Sequence, residues 1–183
     1  MPLERRAGQE EPERPVKTVN VTEEIAKTRA RALGQLQREG LDLPERPEFE
    51  LPRVPTGITS MSDRSLMQLF VRLTRYQDHI AGELALAEIN EHTTQTLLDI
   101  AKARNLAKNW EGTSDRVAVA KAEATLDPEV MKLESTLLQR NARRKLFGVL
   151  AESTARDAGV VSRELSRRIG REPGERRADR MTP

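Results

Sequence analysis

The sequence predicts an all-α fold: a long antiparallel helical hairpin, similar to a coiled coil, with a proline-rich extended arm at its N-terminus. Three observations indicate this class. Apolar residues recur three or four positions apart over two stretches of more than 40 residues, seven of the ten prolines fall within residues 1–60, and aromatic residues make up only 3% of the chain. This pattern is typical of long helices rather than of a thick globular core.

Residues 1–60 are predicted to form the arm, with one short helix at about residues 21–38. Asn20 and Glu23 have the spacing of a capping box, and Gly40 suits the end of the helix. The rest of the arm is dense in charge and proline, so we do not expect it to build a core of its own.

The segment that follows the short helix cannot be helical, because four prolines lie between residues 44 and 55. Two interpretations stay open for it. The segment is either a flexible tether or an arm that docks its apolar side chains on a neighbouring protein. The side chains that would dock are Leu41, Leu43, Phe49 and Leu51.

The hairpin domain is predicted over residues 61–171, and its first long helix begins near Ser60 or Ser62 and reaches Trp110. Gly82 interrupts this helix at a tolerable cost of about 1 kcal/mol relative to Ala. Five residues near its start alternate in steps of three and four, which is the seam of a coiled coil. They are Leu66, Leu69, Leu73, Tyr76 and Ile80.

A polar turn over residues 111–115 and a short helix over residues 116–124 are predicted to connect the two long helices. The second long helix is predicted over residues 127–169, because its first two residues, Asp and Pro, suit a helix start. Gly170 is expected to end it. Residues 172–183 are expected to form a disordered basic tail.

A hairpin of two helices leaves part of each apolar stripe in water, and helix stability depends mainly on burying such stripes. We therefore predict a homo-oligomer in which copies of the chain bury their seams against one another. The predicted interface combines the five seam residues of the first helix with leucines of the second. Those leucines are Leu133, Leu137, Leu146, Leu150 and Leu165.

Charge is divided unevenly between the two long helices. Residues 77–101 hold five acids and no Lys or Arg, whereas residues 140–171 hold nine bases and three acids. In an antiparallel hairpin these stretches lie partly opposite each other, so some bases can pair with acids across it. That interpretation competes with phosphate contact for Arg140, Arg143, Arg144 and Lys145.

The C-terminal end of the second helix faces fewer acids. There Arg163, Arg167, Arg168 and Arg171 cluster within about two turns. Guanidinium groups match the geometry of phosphate, so we predict nucleic-acid contact that is electrostatic, independent of sequence and sensitive to salt. A solvated charged helix end and a protein contact are the alternatives.

The sequence offers no arrangement for catalysis, cofactor binding or metal binding. It has no cysteine, its two histidines fall on roughly opposite faces of one helix, and no glycine-rich loop precedes a Lys-Ser or Lys-Thr pair. No apolar run approaches the 18 residues typical of a membrane span. We therefore expect a non-catalytic protein without cofactor, metal or membrane partner.

Residues 63–171 carry four features in order: a long helix with Tyr76 and Ala-Glu-Ile at 87–89, a polar turn, the segment KAEATLDPEV at 121–130, and a basic helix with SRELSRR at 162–168. In this layout the chain resembles the small helical recombination mediator proteins of tailed bacteriophages, represented by the mediator of phage T4. The proline-rich arm is an addition to that layout.

The resemblance implies a non-catalytic oligomer, in the cytoplasm of an infected host cell, that binds single-stranded DNA and assists the loading of a recombinase. It implies phosphate contacts by the four C-terminal arginines, with the bases of 140–145 as second candidates. The alternative is a phage virion assembly protein, such as a scaffold, connector or minor capsid component. Its arm and hairpin would contact other phage proteins, and it would be found with the virion. A bacterial coiled-coil adaptor is a third interpretation.

Overall fold

The computed structural model describes the backbone of residues 20–109 and 117–181, and the side chains of 20–108, 118, 119 and 121–170. Within these ranges the protein contains helices and no strand, so the predicted all-α class is confirmed. The helices are α1 (Val21–Arg38), α2 (Asp63–Asn109), α3 (Val117–Leu126) and α4 (Pro128–Met181), with one 3₁₀ turn (Ile58–Ser60) before α2.

The helix starts follow the capping residues that the sequence indicated. Asn20 Oδ1 accepts from the amide of Thr22 at 3.2 Å, and Ser62 Oγ accepts from the amide of Ser65 at 3.2 Å. Asp127 Oδ1 accepts from the first amides of α4, those of Glu129 at 2.8 Å and Val130 at 3.3 Å. Each contact satisfies an amide that has no partner within its own helix.

Gly40 ends α1 by a conformation that favours glycine. Its φ is 73°, its amide donates to Gln37 O at 3.1 Å, and the amide of Leu41 donates to Leu36 O at 2.9 Å. This pair of bonds is the Schellman motif. The structure therefore confirms that Gly40 ends α1 and that a glycine with positive φ caps it.

The two long helices, α2 and α4, pack as an antiparallel hairpin, as predicted. Near the start of α2, Leu66, Leu69 and Leu73 are buried against Ala158 and Val161 of α4. At the other end of the hairpin, Leu98 and Ala101 are buried against Val130 and Leu133. Two apolar clusters thus fix the hairpin at its two ends.

The described part of the arm, residues 20–60, packs along α2 of its own chain, in the opposite direction to α2. Val21 contacts the second apolar cluster, and a Cβ built on Gly82 would lie 3.7 Å from Leu43 and from Pro44. Further along, the Phe49 ring packs edge-on against Tyr76, with 5.5 Å between centroids. The arm is therefore a third layer on the hairpin.

This packing corrects the tether interpretation of the segment after α1 and, for two of its four apolar side chains, the docking interpretation. It is not a free tether, and Leu43 and Phe49 contact α2 of the same chain rather than a neighbour. Leu41 and Leu51 remain 55% and 41% exposed. The physical reason is that α2 offers apolar surface along the whole path of the arm.

The predicted oligomer interface is wrong for most of its residues. Leu66, Leu69, Leu73, Tyr76, Ile80 and Leu133 are buried within the chain, and Leu137 and Leu165 are half-buried. Only Leu146 and Leu150 are exposed, at 67% and 43%. The arm and α4 together cover the seam of α2, so other copies of the chain are not needed to hide it.

The boundaries near the C-terminus also differ from the prediction. Helix α4 does not end at Gly170 but continues to Met181, into the segment predicted as a disordered tail. The φ of Gly170 is not positive, so no glycine cap forms there. At the other end of the hairpin, Trp110 and the predicted turn at 111–115 lie outside the described residues.

Candidate nucleic-acid interface

Arg168 ties the end of α4 to the start of α2. All five N–H donors of its guanidinium are in use. Nε donates to Glu164 Oε1 (2.8 Å), Nη1 to Met61 O (2.7 Å) and Asp63 Oδ1 (2.6 Å), and Nη2 to Ile58 O (3.2 Å) and Thr59 O (3.1 Å). No donor is left for a phosphate, so the predicted nucleic-acid contact of Arg168 is corrected to a structural role.

Glu164 is the acid around which this end of α4 is organised. It is only 8% exposed, and Arg167 binds it through two hydrogen bonds, from Nε at 2.7 Å and from Nη2 at 2.6 Å. The hydrogen bonds from Arg167 and Arg168 lower the pKa of Glu164 to about 2. Arg167 keeps part of its guanidinium in water, since its side chain is 42% exposed.

Two bases in the middle of α4 pair with acids of α2, as one of the sequence interpretations expected. Arg144 and Asn141 both donate to Glu91, the latter at 2.6 Å. Arg143 Nη2 lies 3.4 Å from Glu83 Oε2. Burial raises the pKa of Glu91, but these hydrogen bonds and the nearby charges outweigh it and lower the pKa overall.

The other predicted bases occupy different surroundings. Arg140 is half-buried on the side of α4 that faces α1 and α2, whereas Lys145 and Arg163 are exposed. Arg163 Nε donates to Gly159 O within its own helix, at 3.3 Å. The side chain of Arg171 lies outside the described residues.

A row of bases runs along the outer side of α4, away from the hairpin core. Lys145, Arg156, Arg163 and Arg167 are exposed and fall within a narrow angular range on the helix, over a length of about 33 Å. We call these four residues the cationic row. One exposed acid, Glu152, lies beside them. Arg156 was not among the predicted site residues, although its spacing of seven from Arg163 was a signal for it.

An apolar stripe lies next to the cationic row on the same outer side. We call it the outer stripe, and it consists of Leu138, Leu146, Val149, Leu150 and Val160, which are 73%, 67%, 65%, 43% and 38% exposed. Helix α4 is therefore apolar on two sides, one buried in the hairpin and one in water. A helix that is apolar on both sides usually has a partner on each.

The structure brings together no group of three or more His, Asp or Glu side chains that could hold a metal ion, within the residues it describes. His79 Nδ1 lies 3.3 Å from Pro44 O in the arm, and His92 is exposed. Over the same residues, none of the helices carries an apolar stretch that could span a bilayer.

Comparison of the chain with protein-family models, with curated proteins and with solved structures found no match.

Proposed function

We propose that this protein is a non-catalytic helical phage protein that binds single-stranded DNA through the cationic row of α4 and assists the loading of a recombinase. The observation that carries the proposal is the exposure of four bases along about 33 Å of one helix side. Such a row can follow a sugar–phosphate backbone without reading bases.

The composition of the outer side of α4 indicates the kind of binding. Phe147 is the one aromatic residue of α4, and the guanidinium of Arg143 lies over its ring, 5.3 Å from the centroid. Base stacking on aromatic side chains is therefore not expected here. We expect affinity to come from phosphate contacts and to fall steeply with salt.

The proposal is tested by fluorescence anisotropy with a labelled oligothymidylate between about 50 and 200 mM salt. The triple variant Lys145→Gln, Arg156→Gln, Arg163→Gln should bind at least about tenfold more weakly at the lower salt concentration. The slope of log affinity against log salt should become shallower by about 2, at roughly 0.7 per lost phosphate contact on a single strand.

A control with the same change of charge is available elsewhere on the surface. Arg31, Arg53 and Arg64 are exposed and make no ion pair within the described residues, so replacing all three with Gln should leave most of the affinity intact. Equal losses in both triple variants, or no loss in the first, would contradict the assignment of the site.

The outer stripe favours a second candidate function, in phage virion assembly. A scaffold, connector or minor capsid protein needs an exposed apolar surface for protein contacts, and Leu138, Leu146 and Val149 are each at least 65% exposed. Fractionation of infected cells separates the two functions. A mediator should remain free in the lysate, whereas a virion component should purify with the particles.

A further inference from the structure

Three helices surround a pocket of about 420 Å³ on the side of α4 away from the cationic row. Helix α1 contributes Thr22, Ile25, Ala26 and Arg29, and α2 contributes Glu83, Leu86, Ala87 and Asn90. Both sets have the spacing i, i+3, i+4, i+7 of a single helix face. Helix α4 completes the wall with Arg140 and Arg143.

The charges in this pocket are unbalanced. Arg29, Arg140 and Arg143 line it together with one acid, Glu83. Only Arg143 is near that acid, at a long 3.4 Å, while Arg29 and Arg140 form no ion pair with any described residue. Three guanidinium groups against one carboxylate leave a net charge of +2 among the lining residues, which an anion would offset.

The floor of the pocket combines apolar and polar groups. Ile25, Leu86 and Ala87 are each at least nine-tenths buried, as is Asn90. The Oδ1 atom of Asn90 is inaccessible and has no hydrogen-bond partner. A buried amide oxygen without a partner is uncommon and destabilising.

We propose that this pocket binds a phosphate group, held by Arg29, Arg140 and Arg143. Guanidinium groups bind phosphate oxygens with paired N–H donors, and the net charge of +2 favours an anion, either the dianion of a phosphate monoester or the monoanion of a backbone phosphodiester. The group comes either from a small phosphate monoester or from the backbone of a nucleic-acid strand. Because the cationic row lies on the other side of α4, phosphate binding in this pocket and DNA binding by the cationic row are tested independently, and either can be contradicted without the other.

The test is isothermal titration calorimetry of the full chain with inorganic phosphate, at constant ionic strength set by chloride. We expect phosphate to bind with a Kd of about 1 mM or tighter. Arg29→Gln and Arg140→Gln should each weaken binding at least about tenfold, the loss of one charge-assisted contact. Glu83→Gln should instead tighten it severalfold, because it removes the competing acid.

The matched control is Arg31→Gln, on the same helix but outside the pocket lining, which should keep the affinity of the wild type. Competition with inorganic phosphate distinguishes the two sources of the phosphate group. Thymidine 5′-monophosphate should compete if the pocket binds a phosphate monoester, and an oligothymidylate without a terminal phosphate should compete if it binds a nucleic-acid backbone. Heat of binding no larger than with chloride alone would overturn the proposal. So would unchanged affinity in Arg29→Gln and Arg140→Gln, or an equal loss in Arg31→Gln.

Discussion

Arg168 illustrates how a residue that looks suited to phosphate can serve the fold instead. Its side chain is 19% exposed, and its guanidinium joins α4 to three backbone carbonyls and one acid near the start of α2, besides Glu164. The carbonyls at the end of the 3₁₀ turn carry partial negative charge, which a cation complements. Arginine alone offers five donors in a planar arrangement for such a set.

We expect Arg168→Gln and Arg168→Lys both to lower the thermal stability of the protein. Neither side chain can replace five donors, so several of the carbonyl and carboxylate oxygens that Arg168 binds lose their partner. Thermal unfolding followed by far-UV circular dichroism should show Tm several degrees below that of the wild type. Arg163→Gln, which changes an exposed base five positions earlier in the same helix, should leave Tm nearly unchanged. A similar Tm for all three variants would contradict the structural role.

Glu164 should make stability depend on pH in the acid range. Its pKa is lowered from 4.5 to about 2 in the folded chain, so the ionised form is favoured by folding. The ionised Glu164 therefore stabilises the folded chain. Its contribution to stability is complete above pH 4.5 and is lost as pH falls towards about 2. Glu164→Gln should therefore flatten the Tm profile over that window, whereas Glu123→Gln, at an exposed position of α3, should retain the steep profile.

At the scale of elements, the arm behaves as part of the hairpin. The hydroxyl of Tyr76 donates to the backbone carbonyl of Phe49, the two rings pack edge to face, and Arg72 lies over the Phe49 ring at 4.6 Å. These contacts hold a segment that has no regular secondary structure of its own. The stability of the arm therefore depends on α2.

Phe49→Ala should release the arm from α2. The change removes an aromatic pair and a cation–π contact, and we expect a loss of about 1–3 kcal/mol in the free energy of unfolding. Limited proteolysis should then cleave the segment between residues 44 and 55 faster than in the wild type. Leu51→Ala, at an exposed position of the same segment, is the control; equal cleavage of both variants would argue against the contact.

At the scale of the whole molecule, the homo-oligomer stays a prediction. Of its predicted interface residues only Leu146 and Leu150 are exposed, and both belong to the outer stripe, so we predict that this stripe is the interface. Leu146→Gln with Val149→Gln should reduce the assembly to monomers without loss of helicity, because two of its most exposed apolar side chains become polar. Size-exclusion chromatography with light scattering measures the mass. Met67→Gln with Val71→Gln, on the exposed side of α2, is the matched control and should leave the mass unchanged.

The chain by itself determined the long helices, their caps and their antiparallel packing. Asn20, Ser62 and Asp127 act through neighbours within three residues, and the leucine spacing specifies which helix side is buried. Charge counts also anticipated the pairs across the hairpin, because an antiparallel arrangement places residues 77–101 opposite the bases of α4.

Only the tertiary structure decided which bases and leucines remain in water. Arg168 and Arg163 look equivalent in the sequence, yet one is bonded to residues more than 100 positions away and the other is exposed. The arm and α4 cover the α2 seam, whereas the outer stripe of α4 stays exposed. Local spacing cannot reveal these outcomes, because they depend on contacts between residues that are distant in the chain and close in space.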